Sequence, residues 1–426
     1  MSIAAKRGAG VLRVLSVLTV GVVVSTHSVA AADFGGDCCA DLEERIAELE
    51  ATTARKGNRK VSLTIAGQIA HQITYWDDGV ESNTYVTGAG SPTHLRMQGI
   101  AQISPGWSAG YTLHLELFGR QRYWVSQDTP APFDTDINIL KSHWFLQSDR
   151  LGKLSLGRIA QASDDAPILI DSSGSAGPAN WVVHDGSGFF LLHQGERIGM
   201  RWGDIAFCHH IEGGFGGDCN GATTNAVRYD TPTFHGFVAS ASWGQDDFWD
   251  TAINYAGTIS DFKVQAVAAY SENKDVRTSP IPRESKYLQL GAYLEHLPTG
   301  LFGYAAYGAE WNDHPTADGN AIPKGTQEYY KAGLRRKWLP LGHTVVYGEY
   351  SVIDDMMSER LIDSGATGSR FTRAGAGIVQ EIDAAAMSIW LKYRRNTGDI
   401  KNFNGMAGQL DVDSLDFIGS GAIIRF

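Results

Sequence analysis

Trp107-Ser108-Ala109-Gly110-Tyr111-Thr112-Leu113-His114-Leu115-Glu116-Leu117-Phe118 sets apolar or small residues against polar and ionisable ones at a period of two. Successive side chains of a strand point to opposite faces, so this stretch forms a ribbon with one greasy and one wet side. The same period recurs across the chain. Val61-Leu63-Ile65 alternates with Ser62-Thr64-Ala66, and Leu95-Met97-Gly99-Ala101-Ile103 with His94-Arg96-Gln98-Ile100-Gln102. Leu288-Leu290-Ala292-Leu294 alternates with Tyr287-Gln289-Gly291-Tyr293, and Met387-Ile389-Leu391-Tyr393 with Ser388-Trp390-Lys392-Arg394. A soluble sandwich carries the same alternation, so the alternation alone does not fix the architecture.

The links between strands decide more. Short ones fall at 105–106, 149–152, 232–236, 297–300 and 339–342, and longer polar ones at 119–136, 271–285, 312–327 and 354–372. Tight turns at one end and long loops at the other are the pattern of an outer-membrane barrel. Trp76, Trp107, Tyr123, Trp124, Trp243 and Trp338 stand where strands meet turns, as interfacial aromatic girdles require. The reading is an all-β fold, a transmembrane antiparallel β-barrel of about sixteen strands over 61–426. The strands are placed near 61–76, 93–104, 107–118, 138–148, 153–160, 224–231, 237–245, 249–257, 259–270, 285–295, 301–311, 327–337, 343–352, 373–383, 387–396 and 412–426. Closure is required, because an open edge would leave backbone N–H and C=O groups unpaired in hydrocarbon.

Composition agrees with that class. The 426 residues hold 49 Gly, 16 Tyr, 17 Phe and 11 Trp, with mean hydropathy −0.18, which argues against both disorder and a bundle of membrane-spanning helices. A formal net charge of −11 argues against a nucleic-acid partner. No HExxH occurs, no residue is nominated as catalytic, and no cofactor is expected.

Residues 1–32 read as an export signal: Lys6, Arg7 and Arg13, then an apolar run over 11–24, then small residues at Ser28-Val29-Ala30 and Ala30-Ala31-Ala32. Its removal takes the charge from −11 to −14 and places the chain in an oxidising compartment. Residues 33–60 form a periplasmic helical segment and linker, with Leu42, Ile46 and Leu49 as a short coiled-coil stripe. This helix could trimerise beneath a barrel or lie against its own domain. Cys38 and Cys39 stand beside it, and their pairing is open.

Residues 161–223 break the pattern. These 63 residues hold Asp164, Asp165, Asp171, Asp185, Glu196, Asp204, Glu212 and Asp218 against Arg197 and Arg201, a net of −6. A connection that long is usually functional. The inward-predicted wall carries Arg96, Arg120, Arg122, Lys141, Arg228, Lys263, Lys331, Arg335, Lys392 and Arg394. An acidic loop folded against a basic wall would set a field across a narrowed, water-filled pore, with Asp164, Asp165 and Asp171 as its acidic side. A solvated external face is the alternative for these carboxylates. Cys208 and Cys219 read as a local disulfide. The intervening Cys208-His209-His210 offers a zinc alternative, which the glycines 213, 214, 216 and 217 disfavour, so no metal is assigned.

The closing segment Ile418-Gly419-Ser420-Gly421-Ala422-Ile423-Ile424-Arg425-Phe426 resembles the terminal strand of bacterial outer-membrane barrels, in which a terminal Phe is read by the assembly machinery. More of the chain is similar to one family, the alphaproteobacterial general-diffusion porins. The likeness is carried by Asp37-Cys38-Cys39-Ala40-Asp41-Leu42-Glu43-Glu44-Arg45, by Leu154-Ser155-Leu156-Gly157-Arg158, by Val227-Arg228-Tyr229-Asp230-Thr231-Pro232 and by Ser242-Trp243-Gly244-Gln245-Asp246-Asp247-Phe248-Trp249. The resemblance implies a homotrimer in the outer membrane, among outer-membrane lipid and lipopolysaccharide. It also implies an inward-folded third loop and passive diffusion of small hydrophilic solutes and ions. A substrate-specific channel is the nearest alternative function, and a surface-binding adhesin barrel a more distant one.

Overall fold

The computed structural model describes residues 60–117, 125–129, 137–180, 185–210, 214–215, 219, 223–244, 247–276 and 283–426. The expected signal, the helical segment with Cys38 and Cys39, and Arg120 and Arg122 lie outside the described residues.

In chain order the strands are β1 (Ser62–Asp77), β2 (Ser82–Gly88), β3 (Thr93–Ser104), β4 (Trp107–Leu117), β5 (Ile137–Ser148) and β6 (Gly152–Ala160). Then come the short β7 (Phe190–His193), β8 (Glu196–Arg201), β9 (Phe207–Cys208) and β10 (Gly214–Phe215). The series continues with β11 (Thr223–Asp230), β12 (Phe237–Gly244), β13 (Trp249–Ile259), β14 (Phe262–Val276), β15 (Arg283–His296) and β16 (Leu301–Asn312). It ends with β17 (Gly325–Leu339), β18 (Gly342–Asp354), β19 (Gly368–Ile382), β20 (Met387–Lys401) and β21 (Gln409–Arg425).

Each long strand pairs antiparallel with the next, β6 pairs directly with β11, and β21 returns to β1 with Gln68 opposite Arg425 and Asp77 opposite Asp416. β2 and β3 share one edge of β1, taking residues 71–77 and 62–68 respectively. The two form one broken stave, so the 17-stranded sheet is a closed barrel of sixteen staves. β2 was not expected. Its sequence, Ser82-Asn83-Thr84-Tyr85-Val86-Thr87-Gly88, is polar on both faces at its start, so the greasy-wet signal is absent although the backbone ladder continues. β14, β15, β18, β19 and β20 overrun their expected ends for the same reason.

The alternation maps onto the two surfaces. Ile65, Ile69 and Ile73 of β1, Trp144 of β5, Ile253 of β13 and Leu391 of β20 are exposed on the outer wall, while Gln68, Gln72 and Thr74 of β1 are buried inside. Trp107, Trp243 and Trp338 are exposed near strand ends, as girdle residues should be. Trp76 is not one of them. It shares the inner parity of Gln72 and Thr74, is buried, and packs on Phe189 with ring centroids 4.9 Å apart.

The seam is tight. Gly67 and Phe426 exchange backbone hydrogen bonds of 2.8 and 3.0 Å. A Cβ on Gly67 would stand 2.5 Å from the His94 carbonyl oxygen and 2.8 Å from the Phe426 ring, so only glycine lets the last residue lie flat over β1. Gly67→Val is expected to deplete the folded, heat-modifiable form of the protein on a gel, whereas Ile69→Val, two residues away on the outer wall, should leave it unchanged. Equal yields from both variants would show that the seam tolerates a side chain there.

Candidate functional site

The connection from β6 to β11 enters the barrel and follows its inner wall. At its start the Ser163 N–H and hydroxyl both donate to Asp250 of β13 at 2.7 Å, and the Ala162 N–H donates to Ser242 of β12 at 3.0 Å. Arg228 of β11 donates to the carbonyls of Ala160 and Gln161 at 3.1 and 2.8 Å while pairing with Asp230 at 2.8 Å. Asp165 has φ 55, a left-handed turn that aspartate tolerates better than most residues, and the chain then enters the one-turn helix α1 (Ala166–Leu169). The Tyr304 hydroxyl of β16 donates to the Pro167 carbonyl at 2.7 Å, and Gln265 of β14 reaches Ser172. A second short helix, α2 (Ala176–Ala179), carries the chain toward β20 and β21.

Buried ion pairs fasten the far half of this path. Lys331 of β17 pairs with Asp171, both side chains fully buried, and donates to the Asn180 amide oxygen at 2.7 Å. Lys392 of β20 pairs with Asp185, and Arg394 lies 2.9 Å from the same carboxylate and 2.7 Å from Glu349 of β18. Gln72 of β1 donates to Asp185 at 3.0 Å, and Arg373 of β19 to its backbone carbonyl. Burial alone would raise the Asp185 carboxyl; Lys392, Arg394 and Arg373 outweigh it and hold the group far below the ordinary carboxylate range. Arg335 pairs with Glu381 at 2.9 Å, wall to wall.

Beyond Asp185 the connection fills one side of the barrel at its long-loop end. Phe189, Leu191, Trp202 and Ile205 pack with Trp76, Phe371 and Phe417 in a buried apolar cluster. Cys208 and Cys219 are disulfide-bonded with their Cα atoms 5.5 Å apart. The neighbouring His210 is pinned between Ser285 and Ser271 at 2.7 and 2.6 Å, and burial pushes its imidazole down to about 3, so it is neutral. Glu310 of β16 accepts the His209 N–H at 2.8 Å.

The site residues named from sequence therefore separate into two groups. Lys331, Lys392 and Arg394 are buried and neutralise acidic partners, Asp171 among them, and Arg228 and Arg335 are tied to carboxylates of the wall. Arg96 of β3 and Lys141 of β5 differ. They face inward, remain accessible, and have no ion-pair partner among the described residues. Between them lies His114 of β4, opposite Arg96 on one side and Lys141 on the other, with the His94 ring 4.4 Å from its own. An inward side chain can be accessible only to space within the barrel, so this arc borders its open part. Asp164 of the loop lies near Lys141. Burial and then Asp165 push its carboxyl up to about 7, while Lys141 and Arg228 are close enough to oppose the shift. Asp185, Glu349, Arg373 and the histidines were not named as site residues from sequence. Glu349 in Tyr347-Glu349-Ser351 and Arg373 in Phe371-Arg373-Gly375 had the inward parity that would have found them.

A model of the Gram-negative porin family matches residues 18–401, most of the chain. The chain belongs to that family. Like other members, this porin forms a diffusion pore through the outer membrane. Solved structures agree at the level of fold. The anion-selective porin from Comamonas acidovorans aligns with TM-score 0.57 and 16% identity over 86% of this chain and 100% of its own. Salmonella typhi OmpF, in a complex with daunomycin, gives 0.54 and 14% over 87% and 99%. The outer membrane channel DcaP of Acinetobacter baumannii gives 0.51 and 13% over 88% and 100%. No curated protein matches the chain.

Two outcomes follow for this porin. Asp185→Asn removes the carboxylate that the buried Lys392 and Arg394 share, and removing one partner of a buried ion cluster costs about 3–5 kcal/mol. The variant should lose thermal stability in detergent, and an unchanged unfolding temperature would mean that Asp185 is not the anchor. Asp164 gains its negative charge as pH rises through about 7, so cation preference should increase across that point. Asp164→Asn should flatten this step in the reversal potential of a salt gradient.

Proposed function

We propose that this porin is a general-diffusion pore for small hydrophilic solutes and ions, of the kind its likeness to the alphaproteobacterial general-diffusion porins implies. In this reading the connection between β6 and β11 is a constriction loop, and the protein is not an enzyme. The observation that carries it is the ionic fastening of that loop to the inner wall, which leaves the Arg96, His114 and Lys141 arc accessible inside the barrel. A loop held by buried pairs cannot swing freely, so it narrows the lumen permanently. Polar solutes keep their hydrogen bonds along such a lining, while apolar ones must displace ordered water. Asp164 and Asp165 form the acidic side of the narrowing and Arg96 and Lys141 the basic side. Asp171 belongs to the fastening instead, because Lys331 cancels its charge.

The same reading includes a cleaved signal over 1–32, a homotrimer in outer-membrane lipid and lipopolysaccharide, and Phe426 as the residue read by the assembly machinery. The outward Arg158 of β6, which donates to the Ile139 carbonyl at 3.0 Å and reaches Thr223, supports a protein-covered outer face there, since a guanidinium is costly in hydrocarbon.

Purified protein in a planar bilayer should give stepwise conductance that rises in proportion to salt concentration, from an oligomer that dissociates on heating in a gel. Conductance that saturates, together with saturable uptake of one solute, would mark a substrate-specific channel. Absence of conductance in a folded barrel would favour a closed surface-binding one.

A further inference from the structure

We infer that the Arg96, His114 and Lys141 row is a binding site for small oxyanions such as phosphate, on the path of permeating ions. The inference deepens the pore reading and rests on it. The three residues occupy one cross-strand row, Arg96 opposite His114 and His114 opposite Lys141, on three adjacent strands. Neighbouring staves lie ~4.8 Å apart, so the two cations are about 10 Å apart at the backbone. Their long side chains can converge on one ligand over the imidazole. A register shift after His114 sets an extra residue, Leu140, into β5 just before Lys141. Such bulges re-aim the side chain beside them.

Three further features favour an anion. The His114 Nε2 is buried and has no hydrogen-bond partner among the described residues, so a donor or acceptor is waiting at the centre of the row. His143, with Nδ1 likewise unpartnered, lies one row away opposite Thr112. Two of the loop carboxylates are engaged elsewhere, Asp171 by Lys331 and Asp185 by Lys392 and Arg394, and neither Arg96 nor Lys141 forms an ion pair among the described residues. Arginine offers a planar fork of donors matched to oxyanions, and lysine adds a point charge, the usual division of labour at phosphate sites. Exchange must stay fast for conduction, so the site is weak and is relieved by the field of the membrane.

The test uses the full-length porin in a planar bilayer, with inorganic phosphate added to a potassium chloride bath at constant ionic strength. Phosphate should reduce the chloride current beyond the change in bulk conductivity, with half-effect in the millimolar range, and acetate should do so less. Lys141→Gln and Arg96→Gln should each raise the half-effect concentration about tenfold or more, a factor that corresponds to ~1.4 kcal/mol. Lys337→Gln, solvent-exposed at the short-turn end and paired with Asp383, should not. A chloride current that follows bulk conductivity alone, or inhibition that survives both arc substitutions, overturns the site while leaving the pore intact. Loss of all conductance in the unmodified protein would instead overturn the pore reading.

Discussion

Hydrocarbon has no hydrogen bonds to give, and this one fact organises the molecule. Every N–H and C=O at membrane depth must find a partner within the protein, so a sheet can cross only if its first and last strands meet. Here they meet along β1 and β21, from Gln68 opposite Arg425 to Asp77 opposite Asp416. Once the sheet is closed, the period of two has only one possible meaning. One parity touches lipid and the other faces the interior. The interior is then a place where Lys392 and Arg394 can be ionised, because the barrel and its loop supply the counter-charges.

In the proposed reading, the loop turns a cylinder into a selective passage. A closed barrel of sixteen staves encloses far more space than a small solute needs. Occupying part of it with chain brings polar loop groups into the interior, where each needs a partner. Asp250 and Ser242 supply partners at its start, Tyr304 and Lys331 in its middle, and Lys392 and Arg394 at its far end. The apolar cluster around Phe189 and Trp202 then seals that side at the long-loop end. The face made by β3, β4 and β5 keeps Arg96 and Lys141 accessible, ionisable groups that were not consumed in holding the loop. In that reading structure and selectivity are coupled through charge: Lys331, Lys392 and Arg394 anchor the loop, while Arg96 and Lys141 filter.

Much of this was legible in the sequence, and the rest was hidden for identifiable reasons. Leu288 to Leu294 and Met387 to Arg394 announced their strands because lipid demands a clean apolar face. Ser82 to Gly88 did not, since a strand beyond the apolar belt has water on its outer side and loses the pattern. Trp76 misled because an aromatic at a strand end is read as a girdle residue unless its parity is checked against Gln72 and Thr74. The loop was visible as a 63-residue interruption rich in carboxylates. Which carboxylates are spent on Lys331, Lys392 and Arg394 was not, because those pairs join residues more than 150 positions apart and no local period encodes them. His94, His114 and His143 were visible as inward positions, yet a histidine on the wet face of a strand says nothing by itself about its neighbours.

The most direct test of the account concerns the two faces of one strand. Single cysteines placed at Gln98, Thr112 and His114, and at their neighbours Met97, Tyr111 and Leu113, would be challenged in intact outer membranes. The reagent is a small, charged, water-soluble thiol probe. A water-filled cylinder predicts labelling of the first set and protection of the second, with the contrast lost once the membrane is dissolved. Equal labelling of both sets in intact membranes, or labelling only of the second, would contradict it.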